Sequence, residues 1–418
     1  MTHILGILII EFRYNSVKAL SQLLIDNINT MKEDDKSKIV TGLLSRLEVK
    51  EDSLEVKGIT VKEFSRLSKH LKESEIVQIF SKIIKYITDP KAIGKDIYTT
   101  CIKAILKEMP GSSCESVGKI ILPELTEGIS SSSNEIKELC FDTFDDFINT
   151  FDYILIKESE KVIKNKESII KISIEAIKID NASLKKTVGD FLGNLSVILN
   201  KKQMSTLVTG LIERITSSND IKQKIAYLNA LNSVAKISAH KQGEFIPKIL
   251  EILIQYTNKT YLEQNTQNYD ENNDMVEACL HIIETFILKN THILKSYDEK
   301  IVTLSLELIE FDPNYTYSEG VEEENQNYAA DWGDDYVGGM VLGDDSSWKV
   351  RRGAVKVIIS FAKSRMELGR LVIDNIITAL VKCLREHDEN VKLDICLCLN
   401  TFLRNLIVEE QEENNCII

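Results

Sequence analysis

The sequence predicts an all-α protein, a HEAT- or armadillo-like α-solenoid of about nine helical hairpins. Three observations predict it. The 418 residues include only 18 Gly and 5 Pro, too few for a turn-rich β architecture. An apolar residue followed by a basic one, and then by apolar residues at helical spacing, recurs about every 40 residues. The helices marked in this way carry more apolar positions than one buried face needs. Each must therefore pack on the next repeat as well as on its own partner.

The apolar start "ILGILII" (4–10) is too short to span a bilayer and has neither a basic leader nor a small-residue cleavage site. It reads as a helix face. The recurring marks then follow in order. They are Val17-Lys18, Val56-Lys57, Ile97-Tyr98, Ile136-Lys137, Leu184-Lys185, Ile221-Lys222, Val276-Glu277, Val350-Arg351 and Val391-Lys392, with Ile97-Tyr98 and Val276-Glu277 the weakest members. Partner helices lie between them, for example "KSKIVTGLLSRL" (36–47), "MSTLVTGLIERI" (204–215) and "LVIDNIITALVKCL" (371–384).

Two steps are long, 55 residues before Glu277 and 74 before Arg351. The first contains the Asn-rich "NKTYLEQNTQNYDENND" (258–274), expected as a polar loop between the two helices of one repeat. The second contains an acidic segment, 312–345, expected as an insertion inside a single hairpin whose second helix begins at Trp348. Between Ser318 and Asp345 there are nine acidic residues and no basic one. Such a composition buries too little apolar area to offset its ordering entropy, so disorder is expected. The organisation predicted is a solenoid over 1–311, the insertion 312–345, last repeats over 346–405 and a charged tail, 406–418.

The helix after the insertion carries Lys349, Arg352, Lys356 and Lys363 on one narrow arc, with Trp348 on another. This arrangement has two readings. One is a core Trp and a solvated basic face. The other is a partner surface masked by the acidic segment. Arg351 sits among apolar neighbours, and the basic residue of each mark is expected to form a ladder with carboxylates of adjacent repeats.

No enzyme constellation emerges. The six His are scattered without metal-ligand spacing, and there is no GxSxG or P-loop. "GGMVLGDD" (338–345) has glycines, but its carboxylates would repel a phosphate. No cofactor is implied. The net charge of -13 and the lack of a basic stripe argue against nucleic acid. The eight Cys fall mostly within apolar helical patterns and read as buried thiols of an intracellular protein. "NCII" is not a prenylation box, because Cys416 stands third from the end.

"FDPNYTY" (311–317), the acidic segment, "DSSWKVRRGAVKVI" (345–358) and "REHDENVKLDI" (385–395) together resemble the cullin-associated, neddylation-dissociated (CAND) family, also described as TATA-binding-protein-interacting proteins. The likeness is strongest over 304–405 and weaker toward "EFRYNSVKALSQLL" (11–24). It departs from the family in a short first helix and in a chain that stops where family members continue.

The resemblance implies a non-enzymatic protein of cytoplasm and nucleus. Its N-terminal part would grip the C-terminal domain of an unneddylated cullin with its RING subunit, and the whole protein would exchange substrate receptors on SCF-type ubiquitin ligases. Partner-contact residues expected here are Arg13, Tyr14, Trp348, Lys349, Arg352 and Lys356. Receptor exchange would need a second arm, so either a separate chain supplies the C-terminal half and docks on the last repeat, or the gene product is truncated. The apolar "CLCLNTFLRNLIV" (396–408) needs a cover in either case. The competing readings are an importin-β-like transport receptor and a passive HEAT scaffold.

Overall fold

Burial of recurrent apolar marks dictates the architecture. A computed structural model describes residues 2–47, 53–264, 269–311, 346–364, 370–386 and 388–416, and these contain helices but no strand. The helices are α1 (Thr2–Asp26), α2 (Glu33–Leu44), α3 (Leu54–Ser68), α4 (Glu73–Thr88), α5 (Lys95–Glu108), α6 (Cys114–Gly128), α7 (Asn134–Val162), α8 (Lys166–Ala176), α9 (Ala182–Val197) and α10 (Lys201–Ser217). They continue with α11 (Ile221–Ser238), α12 (Ile246–Thr257), α13 (Lys259–Gln264), α14 (Tyr269–Lys289), α15 (Thr291–Leu294), α16 (Asp298–Ile309), α17 (Ser347–Ser364), α18 (Arg370–Lys382) and α19 (Glu389–Cys416).

Each of the nine marks falls on one helix: α1, α3, α5, α7, α9, α11, α14, α17 and α19. The first eight are each followed by a partner helix. The mark's apolar residue is buried in seven of the nine, Val17, Val56, Ile136, Leu184, Val276, Val350 and Val391, while Ile97 and Ile221 are half-buried. Caps set the starts: the Ser53 side chain accepts from the Val56 amide at 3.3 Å, and Asn181 accepts from the Leu184 amide at 3.0 Å. Asn200 and Gln203 form a reciprocal capping box on α10.

The chain divides into two compact units. One comprises Met1–Ser218 with Asn229–Gln242, the other Asn219–Leu228 with Gly243–Ile418. In the first unit, successive mark-bearing helices stack as α1 on α3, α3 on α5, α5 on α7 and α7 on α9, while α2, α4 and α6 stack as partners, as do α8 and α10. Gly193 of α9 lies where a Cβ would stand 3.0 Å from the Ser233 carbonyl of α11, so a small residue permits the close approach. In the second unit, α14 packs on α17 and α17 on α19, with α16 as partner.

Five expectations are corrected. The first helix is not short, since α1 has 25 residues. The Asn-rich stretch is not a loop within a repeat. It follows the partner helix α12, contains α13, and runs into the first turns of α14, where Asn272 and Asn273 are buried. Asp270 and Glu271 favour that helix start through the backbone dipole. The acidic segment does not interrupt a hairpin either. Helix α16 follows α14 as its partner in chain order, and α17 packs along α14 as α3 packs on α1, so the segment joins consecutive repeats. Residues 312–345 themselves lie outside the described residues.

The fourth correction concerns the ladder, which is not uniform. Arg351 does bind a carboxylate, Glu386 in the link from α18 to α19, and Lys222 reaches Glu271 of the next repeat at 3.2 Å. Lys57 instead lies buried with its Nζ 3.4 Å from the Tyr98 hydroxyl. Lys18 sits over the Tyr14 ring, and Lys392 is exposed. A mark at a helix start can be buried only where a neighbouring helix covers it. Finally, the segment expected as a tail contains the end of α19, which runs unbroken to Cys416.

Candidate functional site

Polar pairs stitch the mark-bearing helices to one another. In the first unit Ser21 donates to Glu63 at 2.7 Å, Lys103 to Asp146 at 2.7 Å, and Asn194 to Asp145 at 2.9 Å. Asp142, Asp145 and Asp146 crowd one turn of α7. Burial there pushes the Asp145 carboxyl up to about 6, opposed by its hydrogen bond from Asn194 and reinforced by Asp146 and Asp142. The close spacing "DTFDD" was visible in the sequence, but its burial against α9 was not.

In the second unit the basic row of α17 meets carboxylates on both sides. Lys349 Nζ donates to Asp274 Oδ1 of α14 at 2.6 Å, and that bond raises its pKa. Arg352 Nε donates to Asp394 Oδ2 of α19 at 2.9 Å. Lys356 is half-buried. Burial raises the Glu277 carboxyl above its ordinary range, while Lys349, Lys356 and Arg352 oppose that rise. Trp348 is half-buried, so it is neither a sealed core residue nor a free one. Of the basic arc only Lys363 is exposed. The row is thus largely neutralised by its neighbours, and single exposed charges do not define this surface.

Arg351 is the best-anchored group in the region. Its Nε and Nη2 donate to the two Glu386 oxygens at 2.7 and 3.1 Å, and Nη1 donates to the Phe311 carbonyl at 3.1 Å and Ser347 Oγ at 2.6 Å. Ser346 beside it donates to Asp270 and accepts from Asn273 at 2.9 Å.

Arg13 and Tyr14 belong to the first unit, apart from the α17 residues in the second. Tyr14 lines a cleft of about 1000 Å³ between α1 and α3, together with Ile10, Glu11, Leu54, Glu55, Ile59 and Lys62. Arg13 lines an adjacent groove of about 460 Å³ against α2, with Phe12, Val17, Leu20, Leu43 and Arg46. Sequence reasoning did not foresee these clefts, because they form between helices that are separate in sequence. Among the described residues no group of His, Cys, Asp and Glu suited to a metal ion occurs, and no helix is long and apolar enough to cross a membrane. Cys101, Cys114, Cys140, Cys279, Cys383 and Cys398 are buried and Cys396 is exposed, and burial pushes Cys114, Cys140 and Cys398 up to about 12.

Stacked helix pairs define the class, an α-solenoid of the HEAT type. Solved structures with the same fold include yeast importin-β (Kap95p), with a TM-score of 0.56 at 12% identity over 95% of this chain and 46% of that one. Kap95p in its structure with RanGDP gives 0.59 at 10% identity, over 94% and 46%. No family model matches the chain. Its curated homologues over most of its length are the cullin-associated NEDD8-dissociated proteins. Protein 1 of Dictyostelium discoideum is 25% identical over 417 residues, 95% of this chain and 32% of the relative. Protein 1 of Arabidopsis thaliana is 22% identical over 84% and 27%, and protein 2 of Rattus norvegicus 23% over 90% and 29%. The chain thus spans about a third or less of the relatives it matches.

Proposed function

We propose that this chain is a non-enzymatic binding module that grips an unneddylated cullin through its C-terminal domain and RING subunit, and so regulates assembly and exchange of SCF-type cullin–RING ligases. The observation that carries this reading is the homology to cullin-associated NEDD8-dissociated proteins over 84–97% of the chain. The fold supports it physically. Stacked repeats offer an extended surface on which many modest contacts can hold a long partner.

Arg13 and Tyr14, beside the α1 clefts, and the row Trp348, Lys349, Arg352 and Lys356 are the residues assigned to that grip. Cytoplasm and nucleus are its expected compartments. No cofactor, nucleic acid or membrane enters this reading.

The test is capture of a purified cullin–RING pair, unmodified and neddylated, on immobilised chain. Preferential capture of the unmodified pair is expected, and equal capture of both overturns the reading. A transport-receptor reading is favoured only by the fold likeness to Kap95p. Capture of Ran-GTP in the same format, without the cullin, would replace the first reading with that one.

A further inference from the structure

Asp146, Asp274 and Asp394 each hold a cation of the neighbouring mark-bearing helix, Lys103, Lys349 and Arg352. The pair α1 and α3 departs from this. Toward their C-terminal ends the two helices are tied, with Ser21 donating to Glu63 at 2.7 Å and Arg66 donating to Gln22 at 3.0 Å. Ahead of those bonds lies the cleft of about 1000 Å³. Ile10, Tyr14 and Ile59 give it an apolar wall, and it carries one carboxylate from each helix, Glu11 and Glu55.

Packing within the chain leaves two features of this cleft unexplained. Glu11 and Glu55 are exposed and enter no ion pair or side-chain hydrogen bond with a described residue. Gly58 stands in the interior of α3, where glycine lowers helix stability relative to alanine. Gly118, Gly128, Gly193 and Gly353 each lie against a neighbour that a Cβ would press on, but a Cβ on Gly58 would meet nothing within 4 Å. Gly42 shares this, yet its groove carries Arg13 and Arg46 in place of carboxylates. Since no close approach inside the chain calls for Gly58, its position in the cleft wall suits the close approach of a bound backbone.

We infer that the cleft between α1 and α3 docks an extended, arginine-bearing segment of a partner protein. The guanidinium is held by Glu11 and Glu55, its stem runs along Tyr14 and Ile59, and the segment's backbone passes over Gly58. Charge complementarity selects a cation, because two carboxylates without a counter-charge face an apolar wall. Lys62, one turn beyond Gly58, also lines the cleft and repels a second cation at that end, so the arginine belongs at the glutamate end. A guanidinium is more weakly hydrated than an ammonium and packs flat on an aromatic ring, which favours arginine over lysine against this wall. Lys18 lies over one side of the Tyr14 ring, 4.6 Å from its centroid, so the arginine stem takes the other. Tyr14 is shared with the proposed cullin grip, but the docking site stands on the chemistry of the cleft and holds if the partner is not a cullin.

The probe is a capped, fluorescein-labelled short peptide with one central arginine flanked by leucine, serine and glycine. It is titrated against the full chain by fluorescence anisotropy. Saturable binding is expected, and Glu11→Gln with Glu55→Gln should weaken it about fivefold. The same peptide with lysine for arginine should bind about threefold more weakly. Gly58→Leu should block the cleft while leaving the melting temperature unchanged or higher, since leucine is the better helix former. The control is Glu127→Gln with Glu213→Gln, exposed carboxylates of α6 and α10, which should leave binding unchanged. Absence of saturable binding overturns the assignment. Equal weakening by the control pair overturns it in favour of attraction to net negative charge, and undiminished binding to the Gly58→Leu chain overturns it by placing the peptide elsewhere. Capture of the cullin–RING pair is read separately. A chain that binds the peptide but captures no cullin keeps this docking site and loses the cullin reading, and cullin capture without peptide binding does the reverse.

Discussion

Arg351 and Glu386 form a two-pronged ion pair, 2.7 and 3.1 Å long, with side chains only 5% and 8% exposed. The guanidinium also holds the Phe311 carbonyl and Ser347 Oγ, so one side chain ties α17 to the chain just after α16 and just after α18. Removing one member leaves the other buried without its counter-charge. Glu386→Gln or Arg351→Met should each cost about 3–5 kcal/mol. Replacing both with apolar residues should recover much of that loss. Urea unfolding followed by helical signal measures it, and a cost below about 1 kcal/mol for both single variants would contradict this account.

Much of the fold was legible in the sequence, and the reason is physical. Most repeats bury the same position of the mark-bearing helix, so the apolar half of the mark recurs from Val17 to Val391. What the step lengths could not say was where the added residues sit. A step of 74 is the same whether an insertion precedes or follows the partner helix, and only packing of α17 along α14 decides it. Asn272 and Asn273 read as loop because their burial comes from other helices. The pairs Lys349–Asp274 and Arg352–Asp394 join residues 75 and 42 apart, so the arc, read as either a solvated face or a masked partner surface, was not recognisable as ion-paired.

Gly128 provides a packing test. A Cβ there would overlap Cys140 Sγ and stand 3.2 Å from Cys140 Cβ, where α6 meets α7. Gly128→Ala should destabilise by about 1–3 kcal/mol through overpacking. Cys140→Ala should cost a comparable amount by leaving a void. The double variant should be more stable than the sum predicts, because one methyl fills the space left by the sulfur. Strict additivity in denaturation would show that the two sites do not share that space.

Asp145 makes stability fall as pH rises. Its carboxyl titrates at about 6 in the folded chain against an ordinary value of 3.8, burial being the main cause. The folded state therefore binds the proton more tightly than the unfolded one. The stabilising contribution is complete below about pH 4 and is lost as pH rises through 6. Asp145→Asn should raise stability at pH 8 by on the order of 2 kcal/mol and leave it nearly unchanged at pH 4. Melting temperatures of both proteins across pH 4–8 measure the gap, and a gap that does not widen with pH refutes the assignment.

The two ends of the 312–345 segment are held together by the fold itself. Phe311 before it and Ser347 after it bind the same nitrogen of Arg351, and Ser346 is tied to Asp270 and Asn273 of α14. Chain exit and return therefore do not depend on the length of what lies between. Replacing 314–343 with a short Gly-Ser linker should keep the helical signal of the chain. Shortening the closed loop about fourfold lowers its closure entropy, which is worth roughly 1 kcal/mol in favour of folding. The acidic composition, without a basic residue from Ser318 to Asp345, gives little apolar area to lose in exchange. Equal or slightly raised stability is therefore expected in urea unfolding, with Arg351→Met as destabilising in the shortened chain as in the full one. A loss above about 2 kcal/mol on shortening would show instead that the acidic segment packs against the repeats and contributes to holding them.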